Sequence, residues 1–284
     1  MVSRRELFAE ITAVLEKSGN DCAHFDAQCI FEHVFERPLP MVLMDGNTEV
    51  PSETADTVRS LTKRRAEHFP LQYILGQWEF FGYPFKVGEG VLIPRPDTET
   101  LVEQILDICR EKGLKSPKIA DLCSGSGCIA ITLKKELPEA EVTAVELSDN
   151  ALSYLRENTI LNNVNINIIK GDVLDENTAA AFNELDIIVS NPPYLTEIDM
   201  NELMEEVRHE PQTALFGGKD GFDYYETMTR IWKNSLRKGG FLAYEFGLDQ
   251  HDEVSRILAE NGFENIQLRR DTAGIIRTAA AERR

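Results

Sequence analysis

The sequence predicts an α/β protein, with a mostly parallel, doubly wound sheet preceded by a small helical bundle. Two observations predict it. Beyond Lys118, short apolar runs at 119–122, 142–147, 166–169, 187–190, 241–246, 266–270 and 275–279 alternate with amphipathic segments, such as 150–162 after the capping residue Ser148. Ahead of them, the first seventy or so residues carry only helical periodicity.

Taken in order, Ser3-Arg4-Arg5-Glu6 is a capping-box pattern, and Leu7, Ile11, Val14 and Leu15 follow on one helical face. Asp26 is expected to begin a second helix with Ile30, Val34 and Phe35 inward. A third helix is expected over 52–67, with Val58 and Leu61 inward. The segment 71–93 is aromatic and β-branched (Tyr73, Ile74, Trp78, Phe80, Phe81, Tyr83, Phe85, Val87) and punctuated by glycines, which reads as a hairpin. Pro96 cannot continue a ladder, and Asp97 or Thr98 can cap a helix carrying Leu101, Val102, Ile105 and Leu106. The turn at 271–274 is short enough to make the last two strands antiparallel. The expected domains are a helical, substrate-docking domain at 1–70, a hairpin linker at 71–95 and the sheet domain at 96–284.

The 284 residues, 42% of them hydrophobic, suit a soluble chain with a substantial core. A formal charge of −18 gives a repulsive average field toward phosphate backbones, so no direct nucleic-acid substrate is expected. The five cysteines (Cys22, Cys29, Cys109, Cys123, Cys128) include no C-x-x-C pair, which argues for reduced thiols and against zinc or any other metal site. Charges in the first six residues, and the lack of any long apolar stretch, point to a cytoplasmic protein with no membrane association.

The chemistry concentrates at strand ends. Asp121-Leu122-Cys123-Ser124-Gly125-Ser126-Gly127 lies where the first strand of the sheet meets its helix, and ligands of open α/β sheets bind at the carboxyl ends of strands. Glu146 ends the second strand at ribose-binding distance, and Gly171, Asp172 and Val173 follow the third, where a carboxylate can accept from an adenine amine. Asn191 ends the fourth. The loop lacks full G-x-G-x-x-G spacing, and Asp121 would repel a pyrophosphate. S-adenosylmethionine, with an ammonium group and no phosphate, fits these positions. After the apolar run at 187–189, Asn191-Pro192-Pro193-Tyr194 offers two rigid acceptors, Asn191 Oδ1 and the Pro192 carbonyl, and a covering ring in Tyr194. That arrangement can hold both hydrogens of an –NH2 group in plane.

With these residues in place the chain resembles the class I methyltransferases bearing an N-P-P-Y motif, and more closely the protein-glutamine N5-methyltransferases that modify peptide chain release factors. The likeness runs through Gln72-Tyr73-Ile74-x-Gly76, Glu79-Phe80-Phe81-Gly82, Ile93-Pro94-Arg95-Pro96-Asp97-Thr98-Glu99 and Gly125-Ser126-Gly127-Cys128-Ile129-Ala130. It continues through Val189-Ser190-Asn191-Pro192-Pro193-Tyr194, Glu210-Pro211, Gly217-Gly218-x-Asp220-Gly221 and Glu245-Phe246-Gly247. The resemblance implies a Rossmann-like seven-stranded sheet. It also implies methyl transfer from S-adenosylmethionine, leaving S-adenosylhomocysteine, to the glutamine amide of a Gly-Gly-Gln motif in release factors. Two residues depart from the family pattern. Cys123 stands where glycine is usual, its backbone still able to bond a ligand if φ is unexceptional, and Glu146 replaces Asp.

No dedicated base is required, because a methylated amide nitrogen is acidic enough to lose its proton to water. None is assigned to His24, His33, His68, His209 or His251. Arg95 and Glu210 have peptide-groove and surface or capping roles open to them. Two rival readings are an exocyclic amine of adenine or guanine in nucleic acid as acceptor, and a non-enzymatic cofactor-binding module.

Overall fold

Ser3 opens the first helix through the capping box: its hydroxyl accepts from Glu6 N at 3.3 Å while Glu6 Oε2 accepts from Ser3 N at 2.8 Å. The computed structural model describes residues 2–284. They fall into two compact units, one running to Gln77 and including Met204–His209, the other comprising Trp78–Leu203 and Glu210–Arg284.

The first unit holds β1 (Val2–Ser3), α1 (Arg4–Lys17), α2 (Ala23–Phe35), α3 (Leu39–Met44), β2 (Glu49–Val50), α4 (Ser52–Ala66) and α5 (Leu71–Leu75). Leu7, Ile11 and Leu15 pack with Ala27, Ile30, Phe31 and Val58, all buried, while Val14 lies outside this stripe and is exposed. The second helix starts at Ala23 rather than Asp26. Asp26, expected to begin this helix, is buried inside it, its carboxylate taking Arg65 Nε at 2.6 Å and Asn20 Nδ2 at 2.7 Å in an ion pair with α4. Arg65 also pairs with Glu206 at 2.8 Å, and His209 meets the Phe69 ring edge-on at 5.1 Å, which attaches 204–209 to this unit. The short helices α3 and α5 are absent from the periodicity reading, since five or six residues give too few turns to register. Leu71–Leu75 is therefore helix, not strand, and Gly76 in the left-handed region ends it.

In the second unit a hairpin of β3 (Gln77–Phe80) and β4 (Tyr83–Lys86), assigned to this unit from Trp78 onward, leads to α6 (Pro96–Lys112). Pro96 occupies the first turn of α6, with no side-chain cap, so Asp97 and Thr98 lie inside the helix instead of capping it. There follow β5 (Lys118–Leu122), α7 (Cys128–Glu136), β6 (Glu141–Glu146), α8 (Asp149–Leu161), β7 (Asn167–Lys170), α9 (Glu176–Ala180), β8 (Leu185–Ser190), α10 (Glu197–Asn201), α11 (Asp223–Trp232), β9 (Leu236–Glu245), α12 (His251–Glu260), β10 (Phe263–Arg270) and β11 (Ile276–Arg283). The sheet order is β10-β11-β9-β8-β5-β6-β7, parallel from β7 through β9, with β11 antiparallel to both of its neighbours. The seven expected strands are all present.

Alternate residues along the inner strands bury on opposite faces. Ile119, Ile187 and Val189 join α6, α7 and α8 on one side, while Ala120, Leu122 and Ile188 join α11 and α12 on the other. With helices on both faces, the strand ends are the natural entry for a ligand.

Candidate active site

The chain leaves β5 toward β6 and β7 on one side and returns to β8 and β9 on the other. The crevice at this reversal is where an open α/β sheet admits a ligand. Parallel register pairs Leu122 with Ser190, and Ser190 Oγ donates to Leu122 O at 2.6 Å, so the loop after β5 and the Asn191 turn are adjacent. A cavity of about 770 Å³ opens there, walled by Cys123–Ser126, Glu146, Asp172, Val173, Asn191 and Pro193. Arg95 and Thr98 form part of the same wall, and no histidine does.

The glycine loop is braced from several sides. Ser124 Oγ donates to Asp121 O at 2.7 Å, and Asn158 Nδ2 donates to Ser126 O at 2.9 Å. Glu146 accepts three backbone hydrogens: Gly125 N on Oε2 at 2.7 Å, and Leu147 N and Ser148 N on Oε1 at 2.9 and 2.8 Å. A carboxylate has roughly four lone-pair sites, so Oε2 retains capacity for one hydroxyl. Asp172 Oδ1 caps its own turn by accepting Leu174 N at 2.8 Å, and Trp232 Nε1 donates to Val173 O at 2.8 Å. Two residues of the motif stand back from the wall. Gly127 is bare so that α7 can approach α8, since a Cβ there would overlap Leu155. Asp121 lies beneath the loop, wholly buried, its Oδ2 taking Ala130 N at 3.1 Å and its Oδ1 without a hydrogen-bond partner among the described residues. Burial pushes its carboxyl up to about 8.

Cys123 carries φ +59°, in the left-handed region. The condition attached to its substitution, an unexceptional φ, is not met, which explains why glycine suits this position. Burial also raises its thiol well above the ordinary value, so the thiol stays protonated.

On the other side, Asn191 Nδ2 donates to Thr98 Oγ1 at 3.3 Å. Thr98 is 2% exposed, so the R-P-D-T-E segment reaches the Asn191 amide from α6. Pro192 is buried and, unlike Pro193, does not line the cavity, and among the described residues none donates to its carbonyl. The Tyr194 ring lies against Gly247 rather than on the cavity wall, and Tyr194 O accepts Gln250 Nε2 at 3.0 Å. The glycine motif backs this turn. A Cβ on Gly217 would stand 2.6 Å from Pro193 O and from the Tyr194 Cα, and Leu195 N and Gly217 N close the contact through bonds of 2.9 Å to Leu215 O and Leu195 O. Glu210 is buried and ties two cavity segments together: it accepts Ile93 N at 3.0 Å and forms an ion pair with Arg95.

The cavity also contains Phe216, Tyr224 and Met200, which sequence reading missed. Tyr224 stands near Cys123, Glu146 and Asp172, and burial raises its phenol to about 12. Its only sequence signal is its position just after Gly217–Gly221.

A doubly wound sheet with polar strand tips around one crevice, and Asn-Pro-Pro-Tyr at the fourth, defines a class I methyltransferase. Residues 97–218 match the Methyltransferase small domain family and residues 6–76 the PrmC N-terminal domain. A release factor glutamine methyltransferase of Fusobacterium nucleatum subsp. nucleatum is 37% identical over 284 residues, covering 98% of this chain and 78% of that one. Another, from Clostridium botulinum, is 36% identical over 282 residues, covering 98% and 99%. The chain belongs to the release factor glutamine methyltransferase family. A methyltransferase from Pyrococcus furiosus, 17% identical, shares the fold with a TM-score of 0.52 over 72% of this chain and 90% of that chain.

Proposed function

We infer that this protein transfers a methyl group from S-adenosylmethionine to the side-chain amide nitrogen of the glutamine in the Gly-Gly-Gln motif of peptide chain release factors. The observation that carries the reading is the Asn191 amide at the cavity wall, held by Thr98 beside the glycine loop.

The residues present fit the cofactor. The buried Asp121 Oδ1, unbonded among the described residues, is an orphaned polar atom below the loop, and an ammonium group brought near it would favour the ionised form of a carboxyl that burial raises to about 8. Cys123–Ser126, with Gly127 behind them, would hold the methionine portion, Glu146 the ribose, and Asp172 and Val173 the adenine. When bound, S-adenosylmethionine supplies an electrophilic methyl on a positively charged sulfur.

The acceptor is the harder part of the chemistry, because an amide nitrogen delocalises its lone pair into the carbonyl. Asn191 Oδ1 and the Pro192 carbonyl take its two hydrogens, which favours rehybridisation and stabilises the positive charge growing on nitrogen. Two prolines keep that carbonyl direction constant, and holding nitrogen in line with the methyl adds the proximity contribution. Tyr194 and Gly217 act from behind by keeping the turn in place. The proton leaves to water. Bare glycines beside the target glutamine let its backbone approach closely to the cavity, whose lining also includes Met200, Pro211 and Phe216.

Among the described residues no helix is long and apolar enough to cross a membrane. A cytoplasmic site of action, where release factors work, is part of the same proposal. So is the division of labour by segment: 1–70 for docking, 71–95 as a linker and 96–284 for chemistry.

The test is to supply labelled S-adenosylmethionine with a release factor, tRNA, rRNA and DNA in one mixture. Label in the release factor is expected. Label in nucleic acid alone would favour an exocyclic amine as acceptor, and no transfer would favour a binding module.

A further inference from the structure

Asn191 can hold the acceptor only if Oδ1, not Nδ2, faces it. Thr98 does not enforce this, because a hydroxyl both donates and accepts. A second group is placed to do so. The β8–β9 register pairs Ser190 with Tyr244, which sets the next residues, Asn191 and Glu245, side by side at the strand tips. Tyr244 belongs to the layer containing α11 and α12, so the alternation turns Glu245 to the opposite face, where α6 carries Thr98. Glu245 is 2% exposed, its carboxyl lies near enough to the Thr98 and Asn191 side chains for both to favour its ionised form, and among the described residues its Oε2 has no hydrogen-bond partner. It does not line the cavity.

We propose that Glu245 is a positioning residue for the methyl transfer inferred above: its carboxylate, which can only accept, claims the Nδ2 side of the Asn191 amide and so turns Oδ1 toward the acceptor nitrogen. Protonated, the same carboxyl can donate to Oδ1, and the orientation is no longer selected. Burial raises this carboxyl to about 7. The titratable groups facing it are Asp97 on α6 and Arg277 on β11, with Tyr194 after β8, Cys128 on α7 and Tyr225 on α11. Of these Arg277 favours the ionised form and Asp97 opposes it, and the two are themselves 3.5 Å apart.

The experiment is a kcat–pH profile of the full chain with release factor, for wild type, Glu245→Gln, Asn191→Ala and the double variant. Glu245→Gln keeps the shape but presents an amide that both donates and accepts. Its kcat is expected to fall about tenfold with the cofactor KM nearly unchanged, and the acid limb near pH 7 to disappear. In the Asn191→Ala background the same change should cost nothing further, because there is no amide left to orient. An unchanged kcat and acid limb in Glu245→Gln, or a full effect persisting without Asn191, would overturn the proposal. Glu245→Asp, which withdraws the acceptor by one methylene, is read in the same way and decides the matter if the Gln variant does not fold. A wild type that leaves the release factor unmethylated would defeat the functional reading itself, a separate result.

Discussion

Thr98 and Asn191 lie 93 positions apart, yet their side chains meet at 3.3 Å in the cavity wall. The contact joins the first turn of α6 to the tip of β8, so the helix that follows the hairpin also fixes the residue that addresses the acceptor. Thr98→Val keeps the shape and removes the hydroxyl. The expected outcome is a fall in kcat of about tenfold, the worth of one hydrogen bond near 1.4 kcal/mol, with cofactor affinity unchanged by calorimetric titration.

Gly217 permits the turn that carries Pro193 and Tyr194 to come within a Cβ radius of its own backbone. Gly217→Ala places a methyl against main-chain atoms that have no room to move. A loss of about 1–3 kcal/mol in denaturant unfolding is expected, together with a drop in kcat larger than the change in cofactor affinity.

Glu210 anchors the 90–95 segment by accepting Ile93 N and pairing with Arg95. Glu210→Ala strands a buried N–H and leaves Arg95 without its partner carboxylate. Unfolding should become easier by about 1–3 kcal/mol, and proteolysis should open this strap before the sheet.

Cys123 sits at φ +59°, a conformation that costs a side chain roughly 1 kcal/mol relative to glycine. Cys123→Gly is expected to stabilise the chain by up to about that amount while retaining cofactor binding. Cys123→Val should destabilise it, since β-branching makes the same backbone worse.

Two buried carboxyls give stability a pH dependence of known sign. Desolvation raises Asp121 from 3.8 to about 8 and Glu245 from 4.5 to about 7. Between those values the folded chain holds protons that the unfolded chain has lost, so each contribution is complete below the unfolded pKa and is lost as pH rises through the folded one. Unfolding free energy from these groups therefore declines from about pH 4 to about pH 8. Asp121→Asn should flatten the upper part of that decline, measured by urea midpoints across the range.

The parts legible in sequence are those set by near neighbours along the chain. The capping box at Ser3, the seven strands and the glycine loop all follow from local spacing, and Asn-Pro-Pro-Tyr is a contiguous signal. What escaped depends on partners far away. Asp26 looks like the start of a helix until Arg65 arrives from α4, and Thr98 looks like a cap until α6 begins at Pro96. The carboxylate of Glu146 reads as a free ligand, although three amides of its own neighbourhood already contact it. Tyr224 and Phe216 reach the cavity because the glycine motif folds back on the Pro193 turn, a contact with no periodicity to announce it.

The most direct measurement is tandem mass spectrometry of a release factor after incubation with S-adenosylmethionine and either the wild-type chain or Asn191→Ala. One methyl group on the side-chain amide of the Gly-Gly-Gln glutamine is expected with the wild type. With the variant the yield should drop by ~10²–10³ while cofactor still binds. A methyl group found on any other residue, or an equal yield from Asn191→Ala, would contradict the role of the Asn191 amide in holding the acceptor nitrogen.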